Sequence, residues 1–444
     1  MLQKMSGQGD MLHPEFETLP AARIAAIQED LWRDQWRYLE TTSRFYARKF
    51  EGLWSSVRAL GDLQNLPFTT KEEVRRSQEE DFPFGNYVAC GHDRIVRVHR
   101  TSGTTGRPLQ LANSRRDVEL IARIGGRSQR SAGLRPGDRV VHCLNYCMWT
   151  GGVTDHMTLE ETGACVLPFG VGNTQQLLKL IPEMGVTAIS CTPSYPALLE
   201  RLLHEQGIDP RSLGLRIGLF GGEAGLDNIE FRENLETVWG MSARNANYGM
   251  SEILSNFASQ CEHSADLHFH GADGLFVEIL DKNDQPQPIR EGVSGELVCT
   301  HLAKECQPLV RFRTRDVITV TGTDTCACGR TTWRFRVSGR TDDMFNVRGI
   351  NVFPTSVQKA VQAAAGEGLV SGQFRIRLDG NGPWDRIHLR AEAARAQDPS
   401  AWPGIAARLA ALVQEYAGAS AVVDMLPPDS LPRTDGKTSV IERI

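Results

Sequence analysis

Between residues 15 and 80 the apolar side chains recur at helical spacing with few breakers, Trp32, Trp36 and Leu39 lying four and three positions apart. That spacing predicts a mostly helical start. The phrase Leu66-Pro67-Phe68-Thr69-Thr70-Lys71-Glu72-Glu73-Val74 adds a proline lead-in, a threonine able to cap and acids for a first turn, the signature of a helix beginning. From residue 95 short apolar runs alternate with amphipathic stretches. Strands are predicted at 95–98, 139–144, 186–191 and 215–220, and helices at 117–131, 174–184, 195–206 and 228–239. Repeated strand–helix units argue for a parallel sheet wrapped by helices, and such sheets bind ligands at the carboxyl ends of their strands.

After residue 270 the strands lose their helices, and 275–280 and 295–299 read as antiparallel sheet or a small barrel. Beyond Gly339 a helix at 355–364 precedes strands at 373–378 and 386–390, joined by the hairpin signal Asp379-Gly380-Asn381-Gly382. A helix with Ile405, Leu409, Leu412, Val413 and Tyr416 on one face and a final strand at 421–426 complete an α+β unit. The expected class is α/β. A large N-terminal domain (1–339, with 1–80 mostly helical) carries parallel sheets wrapped by helices plus a barrel-like β region. A small, mobile α+β domain (340–444) follows.

The 444 residues include 49 Lys plus Arg and 54 Asp plus Glu, a net charge of −5. That balance lacks the basic footprint of general nucleic-acid binding. No apolar run reaches the roughly 18 residues of a membrane span, and residues 1–10 lack the apolar core of a signal peptide. The expected setting is the reducing cytoplasm, where the ten cysteines are free thiols or metal ligands rather than disulfides.

The strongest candidate for chemistry is Thr101-Ser102-Gly103-Thr104-Thr105-Gly106-Arg107-Pro108, directly after a predicted strand. Hydroxyls and glycines give a loop whose backbone N–H groups can converge on a polyphosphate. No Lys-Ser/Thr pair follows, so it is not the G-x-x-x-x-G-K-[ST] nucleotide loop. The octet resembles the phosphate loop of the adenylate-forming enzymes, the acyl-CoA synthetase superfamily, with Arg107 where a lysine is usual.

Four further segments match that superfamily in order. In Asn247-Tyr248-Gly249-Met250-Ser251-Glu252 the resemblance implies that Tyr248 stacks on adenine and that Glu252 helps hold Mg²⁺. In Arg313-Thr314-Arg315-Asp316 it implies that Asp316 grips the ribose hydroxyls, with Arg315 where most members have glycine. Gly339-Arg340-Thr341-Asp342-Asp343 resembles the interdomain hinge, with Arg340 at the ribose and Asp342 the pivot. Leu431-Pro432-Arg433-Thr434-Asp435-Gly436-Lys437 makes Lys437 the mobile catalytic lysine, a compact charge on a long stem.

Within the superfamily the chain resembles the phenylacetate–CoA ligases from residue 80 to the end. Besides these motifs the likeness rests on Asp81-Phe82-Pro83-Phe84-Gly85, Tyr146 through Thr150-Gly151-Gly152, Cys191-Thr192-Pro193-Ser194-Tyr195, Phe220-Gly221-Gly222-Glu223 and Arg348-Gly349-Ile350-Asn351-Val352-Phe353-Pro354. Arg315 is normal in that branch. Gly222 and Glu223 join the nucleotide set, and the loop around Gly349 would line a channel for the pantetheine arm. The expected acid pocket has Tyr146, Met148, Trp149, Gly221, Gly222, Asn245 and Tyr248 as walls, since a flat acid can slide between aromatic faces over a glycine floor. Trp149 stands where the resembled enzymes tend to carry a smaller aromatic. Either it shortens the pocket for a benzoate-like acid, or it is core.

Cys261 lies seven residues before His268, and Cys326-Ala327-Cys328 supplies a close pair. Three thiolates and one imidazole suit tetrahedral Zn²⁺, and some of the resembled ligases carry a structural zinc with such ligands. His263 and His270 are alternative imidazoles. Cys90, Cys143, Cys147, Cys165, Cys191, Cys299 and Cys306 read as small apolar fillers.

The expected function is therefore an ATP-dependent aryl acid–CoA ligase using Mg²⁺, with Lys437, Glu252 and Arg107 as its catalytic groups. A carrier protein is an alternative acceptor. A non-catalytic, zinc-stapled nucleotide-binding protein is the rival of another class. The expected partners are aryl acid, ATP and CoA, with no nucleic acid or membrane; the oligomeric state stays open, a homodimer included.

Overall fold

The structure, a computed structural model, describes residues 10–101, 107–223, 226, 228–380, 382, 384–432 and 440–444. The chain divides into two units. The first holds residues up to Thr192, then Leu213–Gly221 and Arg244–Arg336. The second holds Pro193–Ser212, Gly222–Ala243 and Val337–Ile444.

In the first unit the helices Ala21–Thr42, Arg44–Lys49 and Lys71–Glu80 follow the helical spacing of the sequence. Thr70 caps the last of these. Its hydroxyl accepts from Glu73 N at 3.3 Å while Glu73 Oε2 accepts from Thr70 N at 2.8 Å, a reciprocal capping box. Trp32, Trp36, Leu39, Tyr46 and Phe50 form one core with Leu302 and Val310. The buried Tyr46 hydroxyl accepts from Val310 N at 2.8 Å.

The sheet behind the predicted strand–helix units runs Cys165–Pro168, Arg139–His142, Ala188–Cys191, Ile217–Gly221, Ser242–Asn247. The first four strands are mutually parallel. Ala188–Cys191 and Ile217–Gly221 are buried at every residue, which explains their continuous rather than alternating apolar runs. Chain order reverses between Arg139–His142 and Ala188–Cys191, the place where such sheets leave a crevice beyond their carboxyl ends.

Helix Arg115–Ala132 begins at Ser114, whose hydroxyl accepts from Asp117 N, and stops at Gly133 with φ of 110°, a left-handed cap that glycine adopts without strain. A side chain at Gly125 would meet Thr158 Cγ2 at 2.3 Å, so glycine lets this helix lie close against helix Thr150–Glu160. That second helix was not legible in the sequence.

The later strands form a seven-stranded sheet ordered Pro286–Gln287, Leu275–Leu280, Ser294–His301, Phe312–Gly322, Arg334–Arg340, Ser264–Phe269, Ala258–Cys261. Its described pairings leave it open rather than closed into a barrel.

In the second unit the sheet runs Ala421–Leu426, Ile387–Ala393, Val370–Leu378, Ile441–Arg443. The strand predicted to be last is thus followed by another, which pairs parallel with Val370–Leu378. Helices Pro354–Gly366 and Trp402–Ala417 cover this sheet with Val357, Val361, Ile405, Leu409 and Val413. Helices Tyr195–Glu205 and Ile229–Trp239 belong to the same unit, where Tyr416 donates to Glu230 at 3.2 Å. A small hairpin, Phe345–Val347 with Ile350–Val352, turns through Arg348 (φ 48°) and Gly349 (φ 84°). Positive φ at both central residues gives the turn whose twist matches the strands. Among the described residues no helix is long and apolar enough to cross a membrane.

Candidate active site and metal cluster

Strands Ile95–Arg100 and Gln110–Ser114 pair antiparallel and lead into and out of the hydroxyl-rich loop. Its neck is closed by Thr101, which donates its N–H to Leu109 O at 3.1 Å and accepts from Leu109 N on its hydroxyl at 3.0 Å. Ser102, Gly103, Thr104, Thr105 and Gly106 lie outside the described residues, as does Lys437. Arg107 is exposed.

Beneath the neck, residues 304–307 are wired to strand Gln110–Ser114 and helix Arg115–Ala132. Asp117 accepts from Glu305 N at 2.6 Å and Cys306 N at 2.9 Å. Lys304 Nζ donates to Asn113 Oδ1 at 2.8 Å, and Ala112 N donates to Gln307 Oε1 at 2.8 Å. Burial pulls the Lys304 ammonium below its ordinary range, opposed by the charge of Asp117. Lys304 and Gln307 line a small cavity with Tyr87, Ser251 and Glu252.

Tyr248 stands edge-on to Phe257 and Phe335, with centroids 5.3 and 5.4 Å away, and its hydroxyl donates to Asp316 Oδ2 at 2.8 Å. Strand Phe312–Gly322 alternates strictly between buried and half-buried positions, and that alternation turns Asp316 inward. Arg315 has φ of 67°, the left-handed region that glycine enters most easily. Gly249 is required by close approach, since a Cβ would lie 2.3 Å from Ser255 O. The turn it begins is closed by Met250 N donating to Leu254 O at 3.0 Å. It carries Ser251 and Glu252, whose carboxylate lies 2.6 Å from Lys71 Nζ.

Past the carboxyl end of strand Arg139–His142 a second constellation gathers. Burial lowers the His142 pKa to about 4, so the ring is neutral. Its Nε2 lies 3.0 and 3.1 Å from the carbonyls of Gly151 and Gly152, and its Nδ1 lies 3.0 Å from Ser190 Oγ. Only the Nε2–H tautomer satisfies both sides, with the Ser190 hydroxyl donating to Nδ1. Burial pushes the Tyr146 phenol up, and its O–H lies 2.9 Å from His156 Nδ1, whose Nε2 lies 3.1 Å from Glu160.

Met148 is 47% exposed with φ of 57°. Trp149 is half-buried, and its ring lies over Gly151, where a Cβ would meet Cζ3 at 2.7 Å. Gly221 is needed because a Cβ there would lie 2.6 Å from Asn247 Cβ. Asn247 in turn donates its amide to Asp155. Asp155 is fully buried, and that burial raises its pKa well above the usual carboxylate range. Asn245 N donates to Gln260 Oε1 at 2.8 Å.

The first unit thus holds Tyr146, Met148, Trp149, Gly221, Asn245, Asn247, Tyr248, Gly249, Met250, Ser251, Glu252 and Asp316. Gly222, Glu223, Arg340, Asp342 and Gly349 belong to the second. There Glu223 accepts from Ser194 at 2.8 Å, and Arg340 grips Asp342 through two bonds of 3.0 and 2.9 Å. Sequence reasoning missed Lys71, Asp155, His156, Ser190 and Lys304. Only Lys71 left a trace, inside the capping phrase.

The sulfur and imidazole ligands do converge. Cys261, His268, Cys326 and Cys328 place one donor atom each within 4.8 Å of one another. Cys261 ends one strand, His268 lies on its antiparallel neighbour, and the Cys326–Cys328 turn is held by Cys326 N donating to Arg330 O at 3.0 Å. Cys261 and Cys326 sulfurs are 3.9 Å apart, and Cys328 Sγ is 3.7 Å from His268 Nε2. With Zn–S of about 2.3 Å a tetrahedron has edges of about 3.8 Å, so the spacing fits zinc. Hydrogen bonding from Cys261 holds the Cys328 thiol far below its usual range, and His268 adds to the effect. The two alternative imidazoles fall elsewhere: His270 pairs with Ser259 Oγ at 3.0 Å, and His263 is not among the converging donors. Cys147 and Cys165 are exposed rather than apolar fillers, and Cys90 touches Cys306.

Residues 47–301 match the AMP-binding enzyme family, and residues 349–442 match the AMP-binding enzyme C-terminal domain. The phenylacetate-coenzyme A ligase of Thermus thermophilus is 32% identical over 446 residues, covering 96% of this chain and 97% of its own. That of Escherichia coli K12 is 30% identical over 431 residues, covering 95% of each. Among solved structures, 2-hydroxyisobutyryl-CoA ligase in the postadenylation state with R3-HIB-AMP aligns with a TM-score of 0.89 at 28% identity, covering 100% of this chain and 94% of that one. The chain belongs to the AMP-binding enzymes, in the phenylacetate–CoA ligase-like branch of the adenylate-forming superfamily, and is an acid–CoA ligase.

Proposed function

We propose that the acid is aromatic, benzoate-like or arylacetate-like. In the first step its carboxylate attacks the α-phosphorus of ATP, forming acyl-adenylate and releasing pyrophosphate. In the second the CoA thiol attacks the acyl carbon and AMP leaves. The observation that carries the aromatic reading is the group beyond the strand reversal. Tyr146 and the half-buried Trp149 offer flat faces beside the glycine pair Gly151-Gly152, and His142 fixes the glycine carbonyls. The phenylacetate ligases among its relatives support the same class.

In this reading Tyr248 packs against adenine and Asp316 holds the ribose. The Thr101–Arg107 loop cradles the departing pyrophosphate, because transition-state charge is best met by donors fixed in advance. Glu252 would hold Mg²⁺, which supplies neutralising charge on the phosphates. Lys437 serves adenylation, and Arg340, Asp342 and Gly349 serve the passage to the thioester step. The four-ligand cluster, with no open position, would hold zinc as a structural staple.

The test is acid-dependent ATP–pyrophosphate exchange over benzoic, phenylacetic, cinnamic, 2-hydroxyisobutyric and short aliphatic acids, followed by thioester formation with CoA and with a phosphopantetheinylated carrier protein. Aromatic acids are expected to lead in kcat/KM by roughly 10-fold or more, with CoA as the acceptor. A lead by 2-hydroxyisobutyrate or another aliphatic acid would overturn the aromatic class.

A further inference from the structure

Two cysteines outside the metal-capable cluster lie side by side. Cys90 Sγ and Cys306 Sγ are 3.0 Å apart, and Ala89 N donates to Cys306 O at 2.8 Å, so the backbones are held together as well. A disulfide needs about 2.0 Å between sulfurs, so about 1 Å of travel closes the bond. Cys90 is half-buried and Cys306 buried. Hydrogen bonding to Cys306 holds the Cys90 thiol below its ordinary range, with Arg94 adding in the same direction, while Cys306 is pushed up. By burial Cys90 is therefore the reachable thiol and Cys306 is sheltered beside it, the usual division between a peroxide-reactive and a resolving cysteine.

Cys306 sits in the segment that joins the loop neck to the cavity. Its N–H and that of Glu305 hold Asp117, and its neighbours Lys304 and Gln307 line the cavity with Ser251 and Glu252. These bonds and this shared segment are the path by which a displacement of Cys306 would reach that wall.

We propose that Cys90 and Cys306 form a hydroperoxide-responsive dithiol site whose closure slows adenylation. The Cys90 thiolate attacks the peroxide O–O bond, giving the sulfenic acid and, after protonation, an alcohol or water. The Cys306 thiol then attacks the sulfenic sulfur, the S–S bond forms and water leaves. Each sulfur gives up one electron and the peroxide takes two. A dithiol reductant reverses the step. The effect on adenylation rests on the role proposed above for Glu252, whereas the disulfide itself does not.

The test uses the full-length, zinc-loaded, fully reduced chain, treated with stoichiometric hydrogen peroxide and then alkylated. A non-reducing peptide mass map is expected to recover the Cys90 and Cys306 peptides as one cross-linked species lighter by two hydrogen atoms. ATP–pyrophosphate exchange in the same sample is expected to fall roughly 10- to 100-fold, the scale of a 1 Å misplacement, and to return with dithiothreitol. Cys90→Ser is expected to keep its exchange through the treatment. Recovery of the two peptides separately overturns the site, and that measurement needs no variant and no knowledge of the acid. A cross-link that leaves exchange unchanged overturns the coupling. So does an equal loss in Cys90→Ser, which would place the damage at another thiol, the exposed Cys147 and Cys165 included.

Discussion

The Tyr248→Phe substitution isolates one hydrogen bond in the proposed nucleotide site. The ring is kept, and so are its edge contacts with Phe257 and Phe335 at 5.3 and 5.4 Å. What goes is the hydroxyl that donates to Asp316 Oδ2 at 2.8 Å. Asp316 is only 7% exposed, so water replaces the lost donor poorly. A hydrogen bond to a charged group is worth about 1.5–3 kcal/mol, which corresponds to roughly 10- to 150-fold. The Asp316 backbone N–H still donates to Thr314 Oγ1 at 3.1 Å, so the strand stays in place and the loss reports on the carboxylate alone. Because the hydroxyl orients Asp316 rather than touching the acid, the loss should fall on ATP. We expect KM for ATP to rise about 10-fold or more with KM for the acid nearly unchanged, measured by pyrophosphate exchange with each substrate varied in turn. A thermal melt checks that the variant is folded. An ATP KM within about twofold of wild type, in a folded variant, would refute the assignment of Tyr248 and Asp316 to the nucleotide.

Trp149→Ala should shift preference from benzoate-sized acids toward arylacetates by roughly 10- to 200-fold in the kcat/KM ratio; a folded variant with an unchanged ranking removes Trp149 from the pocket wall. Asp155→Asn tests a buried acid whose folded pKa lies above its unfolded value of about 3.9 because of burial. The folded state then holds more protons, so the stability contribution is complete below the unfolded pKa and fades as pH rises through the folded one. Asn247 keeps an acceptor in the variant, so urea midpoints should show it gaining on wild type as pH rises from 5 to 8, and a pH-independent difference would rule out the neutral acid. Elemental analysis should find one zinc per chain. Chelation from near-saturation should cost about 4 kcal/mol, read as a lower melting temperature, and Cys328→Ser should lower it similarly; an isolated chain that is zinc-free and melts unchanged with chelator counts against the staple.

What the sequence exposed and what it hid have physical causes. The start of helix Lys71–Glu80 was readable because a capping threonine and the first-turn acids lie within one short phrase. Three of the parallel strands were readable because burial on both faces forces continuous apolar runs, as at Ala188–Cys191, whereas the more exposed edge strand Cys165–Pro168 was not. Helix Thr150–Glu160 was not, because its buried set is Thr150, Thr154, Asp155 and Thr158 around two glycines with Leu159 the one large apolar member, which gives no apolar stripe. The long strand Phe312–Gly322 was hidden for a related reason: its inward set includes Thr314 and Asp316. At the metal cluster the four donors, His268 among them, were nameable from spacing and resemblance, and the strand register adds the reason: it sets His268 beside Cys261 while His270 pairs with Ser259. The Cys90–Cys306 contact spans 216 positions, and nothing local marks it.

The polar network under the loop neck is not explained by stability. Lys304 and Asp117 are buried, and removing such groups from water costs several kcal/mol each, a cost that well-packed apolar residues of similar volume would avoid. What apolar residues cannot supply is direction. Asp117 accepts from Ser114, Glu305 and Cys306 along fixed N–H vectors, Lys304 is tied to Asn113, and Gln307 to Ala112. These bonds hold residues 304–307 to strand Gln110–Ser114 in one register, and Thr101 and Leu109 close the neck above it. The two ends of the loop are therefore positioned before any nucleotide arrives. Under the proposed function this is the arrangement that electrostatic catalysis needs: donors held in place in advance spend no free energy on reorganisation when charge develops on the leaving pyrophosphate. The buried charges are better understood as setting the position of the loop's two ends than as stabilising the fold.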